Sequence, residues 1–257
     1  MKAAIERDLS SDDQVISLFY GGSIGTGNTD LYSDIDLRIV VNEEAFEEYR
    51  IHKKERAKNW GDVMFYEDFP WASHSVAHYK GFIKVDSFYY TKKDLQPSVW
   101  LKDIKIVCDR EDFMKGVQRE SRKLEYEPSF EEFDLWRNKF FAYTHEVYRG
   151  MKREEFFHAA NSLESLRFHL TTGWFMESGM QPNNPGYWAK LGGTRSRLHD
   201  WQLRFLEESM GGKNPESIMS SLKILVPEFI RIHSVLCKRF GIDEKRAHVE
   251  EIFGMVL

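Results

Sequence analysis

The chain has 257 residues, of which 42% are hydrophobic and 30% charged, enough for one large domain or two small ones and too apolar for a disordered chain. Its formal net charge, 36 − 41 = −5, speaks against a nucleic-acid binder that needs a broad basic face. Along the first half, short apolar runs alternate with turn signals. Strands are expected at Val15–Gly22, Ile35–Val41, Asp62–Asp68, Gly81–Tyr90 and Ile104–Asp109, all rich in β-branched and aromatic residues. Between the second and third, Glu43–Asn59 reads as a solvent-facing helix with Phe46, Tyr49 and Ile51 as its apolar contacts. Ser73–Tyr79, which carries His74 and His78, reads as a loop or short helix.

After Pro128 the texture becomes helical. Phe133, Trp136, Phe140, Tyr143, Val147 and Met151 recur at steps of three and four over Phe130–Met151. Glu154–Ser178 repeats that pattern. Further helices fit Arg195–Met210, Pro215–Phe240 (broken or kinked at Pro227) and Asp243–Val256. Asn183–Trp188 and Gly211–Pro215 are turns. The expectation is an α+β chain: a mixed twisted sheet with flanking helices over residues 1–125, then a helical bundle over 126–257. No repeat or low-complexity segment interrupts it.

Two cysteines, Cys108 and Cys237, stand far apart without a CxxC neighbour and read as free thiols in a reducing compartment. The N-terminal MKAAIERDLSSDDQ is too polar for a signal peptide. No apolar run approaches the roughly 20 residues that span a bilayer, so a cytoplasmic protein without membrane partners is expected. The nine histidines form no HExxH pattern, which leaves a zinc site unsupported.

The segment that carries chemistry is Gly21-Gly22-Ser23 followed, after ten residues, by Asp34-Ile35-Asp36. Residues two apart on a strand share a face, so Asp34 and Asp36 present adjacent carboxylates while Ile35, Leu37 and Ile39 enter the core. Two carboxylates this close repel and need a positive partner. A hard divalent ion, Mg²⁺ above all, meets that need through carboxylates and substrate phosphates. Ser23, on the turn made by Gly22, offers a hydroxyl and a backbone N–H to a phosphate. The fitting reaction is in-line displacement at an α-phosphorus with pyrophosphate leaving.

These residues resemble the signature of the nucleotidyltransferase superfamily that includes DNA polymerase beta. The run Tyr32-Ser33-Asp34-Ile35-Asp36-Leu37 is especially similar to the aminoglycoside and lincosamide adenylyltransferases, which also carry a helical C-terminal half. The resemblance implies a third carboxylate on a later strand. Asp86, in Lys84-Val85-Asp86-Ser87-Phe88, is the first candidate and Asp62 its rival. It also implies that Asp34, Asp36 and Asp86 hold Mg²⁺, that a nucleoside triphosphate (ATP foremost) is the donor, and that a small-molecule hydroxyl is the acceptor, an aminoglycoside or lincosamide antibiotic among the options. The helical half would close over the substrates.

Other signals are open. Arg38 shares a strand face with Asp36 and either touches a phosphate or pairs with a carboxylate, and Lys84 stands in the same relation to Asp86. Lys139, Arg149 and Arg167 are candidate phosphate contacts. Asp86, Glu132, Asp134 and Glu146 are candidate general bases. Trp136, Tyr143 and Trp188 are candidate walls of an acceptor pocket. Gly25-Thr26-Gly27 lacks both the GxGxxG and the Walker pattern and reads as slack before Asp34. Nucleotide transfer to a protein or RNA, or non-catalytic nucleotide sensing, are the alternative functions. The oligomeric state is not legible.

Overall fold

A computed structural model describes residues 1–212 and 214–257; Lys213, in the turn expected at Gly211–Pro215, lies outside the described residues. The chain divides into two compact units, Met1–Glu125 and Tyr126–Leu257.

The first unit is built on six strands: β1 (Val15–Tyr20), β2 (Ile35–Val41), β3 (Val63–Asp68), β4 (His74–Tyr79), β5 (Ile83–Tyr90) and β6 (Lys105–Asp109), in the spatial order β3-β4-β5-β2-β1-β6. β2 and β5 run parallel, and the other neighbours are antiparallel. Alternation along the strands sends Leu18, Tyr20, Leu37, Ile39, Val85 and Tyr89 to one face. There they pack with Ile5 and Leu9 of helix α1 (Lys2–Ser10), Tyr49 of α3 (Phe46–Ile51) and Ala57 of α4 (Lys53–Ala57). On the other face Ile16, Phe19 and Val40 meet Met114 and Val117 of α5 (Phe113–Ser121). The first face is thus covered by three helices, whereas α5 covers the other, where the buried strand residues of the apolar cluster come from β1 and β2. The charged residues of β2 and β5 and the histidines of β4 lie on that second face.

Three expectations are corrected here. His74–Tyr79 is a strand, not a loop or helix: Ser75, Ala77 and Tyr79 are buried and alternate with the half-buried His74, Val76 and His78. Small and polar residues on its core side hid the period. The helix expected over Glu43–Asn59 is interrupted, as short 3-10 turns at Glu43–Ala45 and Lys58–Trp60 flank α3 and α4, and Ile51 is exposed. Gly25-Thr26-Gly27 is not slack: Gly25 and Thr26 belong to a helical turn, α2 (Gly22–Thr26), ended by Gly27. Helices α1 and α5 had no apolar run long enough to announce them.

The second unit holds α6 (Phe130–Lys152), α7 (Phe156–Glu177), α8 (Asp200–Glu208), α9 (Pro215–Phe240) and α10 (Arg246–Gly254). Its core joins Phe133, Trp136, Phe140, Leu166, Leu170, Trp174, Leu222, Phe229 and Ile232. A capping box starts α6, with Ser129 Oγ accepting from Glu132 N–H and the Glu132 carboxylate accepting from Ser129 N–H. Of the break or kink expected at Pro227, the break does not occur: α9 runs through it. Pro227 and Lys223, whose carbonyl would lose its partner there, are both on the solvent side, so water can serve that carbonyl. Among the described residues no helix is long and apolar enough to cross a membrane.

Candidate active site

The site is a patch of the sheet face that carries the charged residues of β2 and β5. Because these strands are parallel and in register, Asp36 is the Cα partner of Asp86. Asp34 immediately precedes β2, and Lys84 lies two residues before Asp86 on β5. The period of two therefore puts Asp34, Asp36, Lys84 and Asp86 on one face, with Ile35, Leu37 and Val85 buried behind them.

The charges are arranged in pairs. Lys84 Nζ donates to Asp86 Oδ2 at 2.9 Å and to Asp34 Oδ2 at 3.4 Å. Arg38 reaches Asp36 Oδ1 at 3.4 Å, and its guanidinium lies 3.9 Å from the centre of the Phe88 ring, a cation–π contact that fixes the side chain. Burial raises the Asp86 carboxyl above the ordinary carboxylate range, and the charges of Asp34 and Asp36 add to the rise while Lys84 opposes it. For Lys84, burial would lower the ammonium. The hydrogen bond and charge of Asp86, with the charge of Asp34, outweigh it and raise it.

Helix α2 brings a serine to the same place. Gly21 N–H donates to Asp36 O at 3.0 Å, which ties the turn to β2. Gly22 has φ +52°, and a Cβ there would lie 1.9 Å from Asp36 Oδ2, so only glycine lets the turn approach the carboxylate this closely. Ser23 is buried, and its Oγ has no hydrogen-bond partner. The same holds for Asp86 Oδ1. Two orphaned buried oxygens beside three carboxylates form a hard-oxygen donor set, and on that chemistry the residues fit a divalent ion with phosphate ligands. Among the described residues, however, no cluster of three or more His, Cys, Asp or Glu is already placed to hold a metal ion; the carboxylates are drawn to Lys84 and Arg38 instead.

The rival Asp62 is 76% exposed and paired with Lys80, outside this group. Of the candidate bases in the helical unit, Glu132 is held in the α6 cap, Asp134 bonds Arg137 and Asn138, and Glu146 pairs with Arg149 and His158. Arg167 is buried, bound to Glu164 and to Leu206 O. These groups all have partners within the helical unit. Lys139 is exposed on α6, with no ion-pair partner among the described residues, and lines a cavity of about 460 Å³ together with Trp136, Tyr143, His169 and Asn183. An adjoining cavity of about 370 Å³ shares Tyr143, Phe168 and His169 and adds Trp188. The His169 ring bonds Ser165 O through Nδ1, and burial lowers its pKa, with the charge of Lys139 adding to the effect.

One pair escaped the sequence reading. His78 Nε2 meets Glu67 Oε1 at 2.6 Å, with Phe65 stacked on the imidazole at 4.3 Å, and His78 is the register partner of Lys84. Its signal was the alternation in His74–Tyr79, legible only once that stretch is a strand.

Residues 2–85 match the family model described as the nucleotidyltransferase domain. That span takes in Gly22, Ser23, Asp34 and Asp36 and stops one residue before Asp86, whose place rests on the β2–β5 register. No curated protein matches the sequence. Among solved structures, the chain is similar to an aminoglycoside 6-adenyltransferase from Bacillus subtilis, at 13% identity and a TM-score of 0.45, covering 97% of this chain and 95% of that one. It is also similar to a nucleotidyltransferase-like protein from Exiguobacterium sibiricum 255-15, at 13% identity and a TM-score of 0.48, covering 92% of this chain and 76% of that one.

Proposed function

We propose that this chain, a transferase by the nucleotidyltransferase domain it carries over residues 2–85, moves AMP from ATP to a hydroxyl of a small-molecule acceptor and releases pyrophosphate. The observation that supports this reading is the convergence of Asp34, Asp36 and Asp86 on one sheet face beside the unpartnered Ser23 Oγ.

Asp34, Asp36 and Asp86 are the residues that would hold divalent ions, Mg²⁺ in our reading. When bound, such ions neutralise the triphosphate and stabilise the attacking and leaving oxygens of an in-line displacement. Ser23 and the backbone of the Gly22 turn are assigned to the triphosphate oxygens. Arg38, held by Phe88, keeps Asp36 aimed and adds positive charge near the phosphates. Lys139 is assigned to the triphosphate as a further cation. The acceptor oxygen forms a bond to the α-phosphorus, the bond to the β-phosphate oxygen breaks, and the hydroxyl proton passes to a carboxylate. We assign that proton to Asp86 Oδ1, the oxygen with no partner.

The acceptor is assigned to the aromatic cavity of the helical unit, where Trp136, Tyr143, Phe168 and Trp188 offer ring faces. Aminoglycosides and lincosamides are the first compounds to try, and the reaction would run in the cytoplasm. The test is pyrophosphate release with Mg²⁺ and each of four nucleoside triphosphates, against a panel of both antibiotic classes. Release that depends on one acceptor and disappears in Asp34→Asn supports the reading. Nucleotide binding without release, with every acceptor tried, counts against it.

A further inference from the structure

The two cations of the site are held differently. Arg38 is clamped, its guanidinium stacked on Phe88 and hydrogen-bonded to Leu37 O as well as to Asp36. Among the described residues, the hydrogen-bond and ion-pair partners of Lys84 are carboxylates: its ammonium spans Asp86 Oδ2 and Asp34 Oδ2. A lysine is a compact charge on a flexible stem and can leave one partner for another, whereas a stacked guanidinium loses its stacking when it moves. Lys84 also satisfies the site incompletely, since Asp86 Oδ1 stays buried and unpartnered.

We propose that Lys84 is a resident counter-ion that competes with divalent metal for Asp34 and Asp86 and yields when a nucleoside triphosphate offers it new oxygens. This rests on the metal-dependent reading above. A metal ion that takes either Oδ2 must displace the ammonium, and a displaced ammonium with no anion to go to raises the cost of metal entry. The triphosphate supplies that anion, so metal and nucleotide promote each other's binding. Lys84 is therefore a positioning residue that links the two, and it fixes the form in which the carboxylates wait.

The test is Mn²⁺ binding followed by electron paramagnetic resonance, on the full chain and on Lys84→Met, without nucleotide and with α,β-methylene-ATP, which resists cleavage at the bond that breaks. Without nucleotide, Lys84→Met should bind Mn²⁺ roughly tenfold tighter than wild type, within the usual range for coupled sites, yet melt at a lower temperature in metal-free buffer. The analogue should tighten Mn²⁺ binding more in wild type than in the variant. A merely structural lysine would give the opposite, weaker metal binding alongside lower stability. Should the Met variant not fold, Lys84→Gln carries the same comparison. Equal Mn²⁺ affinities in wild type and variant without nucleotide overturn the proposal and leave the metal reading standing. If wild type, Lys84→Met and Asp36→Asn all fail to bind Mn²⁺, with and without the analogue, both fall together.

Discussion

Asp36 on β2 and Asp86 on β5 are Cα partners across a parallel strand pair, so backbone register, not a flexible loop, sets how their carboxylates face each other. Asparagine at either position keeps the shape and removes the charge. We expect Asp36→Asn and Asp86→Asn each to lower kcat/KM by about 10²-fold or more, the loss typical of one electrostatic group in a reaction centre. Melting should change little, since partly exposed ion pairs contribute about 1 kcal/mol or less. Pyrophosphate release and circular-dichroism melts check the two halves. A wild-type rate in Asp36→Asn would sink the mechanism.

Gly22 and Gly27 separate geometry from strain. Both have positive φ, +52° and +71°, but a Cβ on Gly22 would strike Asp36 Oδ2 at 1.9 Å, whereas one on Gly27 meets nothing within 4 Å. Each alanine pays about 1–2 kcal/mol for the left-handed backbone. Only Gly22→Ala should also push Asp36 aside and lose most of the activity. Equal activity in the two variants, assayed at matched folded fraction, would show that the Gly22–Asp36 approach does not matter.

The sequence exposes the candidate site's first strand readily because Gly22-Ser23 and Asp34-Ile35-Asp36 are local: spacing and the period of two place them without any tertiary information. Asp86 is different. Val85 reads as a core residue, so the face of Asp86 follows from the sequence, but its opposition to Asp36 depends on β5 pairing with β2 across a distant connection. Arg38 illustrates the same limit, since only the packed structure stacks it on Phe88 and turns it to Asp36. His78 was hidden because β4 buries Ser75 and Ala77, residues too small or polar to mark a core face. Glu132, Asp134 and Glu146 looked equivalent as bases until the cap and ion pairs that occupy them came into view.

Tyr143 borders both cavities of the helical unit, edge-on to His169 at 5.2 Å. If the acceptor sits there, Tyr143→Ala should raise the acceptor KM about tenfold, the loss expected for one aromatic contact, and leave the KM for ATP unchanged. Steady-state kinetics with each substrate varied in turn decides this. A change confined to the ATP KM would remove the acceptor from this cavity.

His233 supplies a stability test that does not involve the reaction. It is buried between Phe133 and Phe229, stacked at 5.7 and 5.8 Å, with Cys237 Sγ 3.5 Å from Nε2. Burial, reinforced by the charge of Arg137 and opposed by Glu244, lowers its pKa from 6.5 to about 4. Between those values the unfolded chain binds a proton that the native chain refuses. Native stability is therefore whole above pH 6.5 and falls as the pH drops toward 4, by up to about 3 kcal/mol for this residue. His233→Asn cannot take that proton in either state, so its stability should vary less with pH across the window even if it is lower throughout. Urea unfolding of both proteins at pH 7.5, 5.5 and 4.5 measures the two slopes. Parallel slopes would mean that His233 is protonated as easily in the native protein as in the unfolded one, and that its burial carries no electrostatic cost.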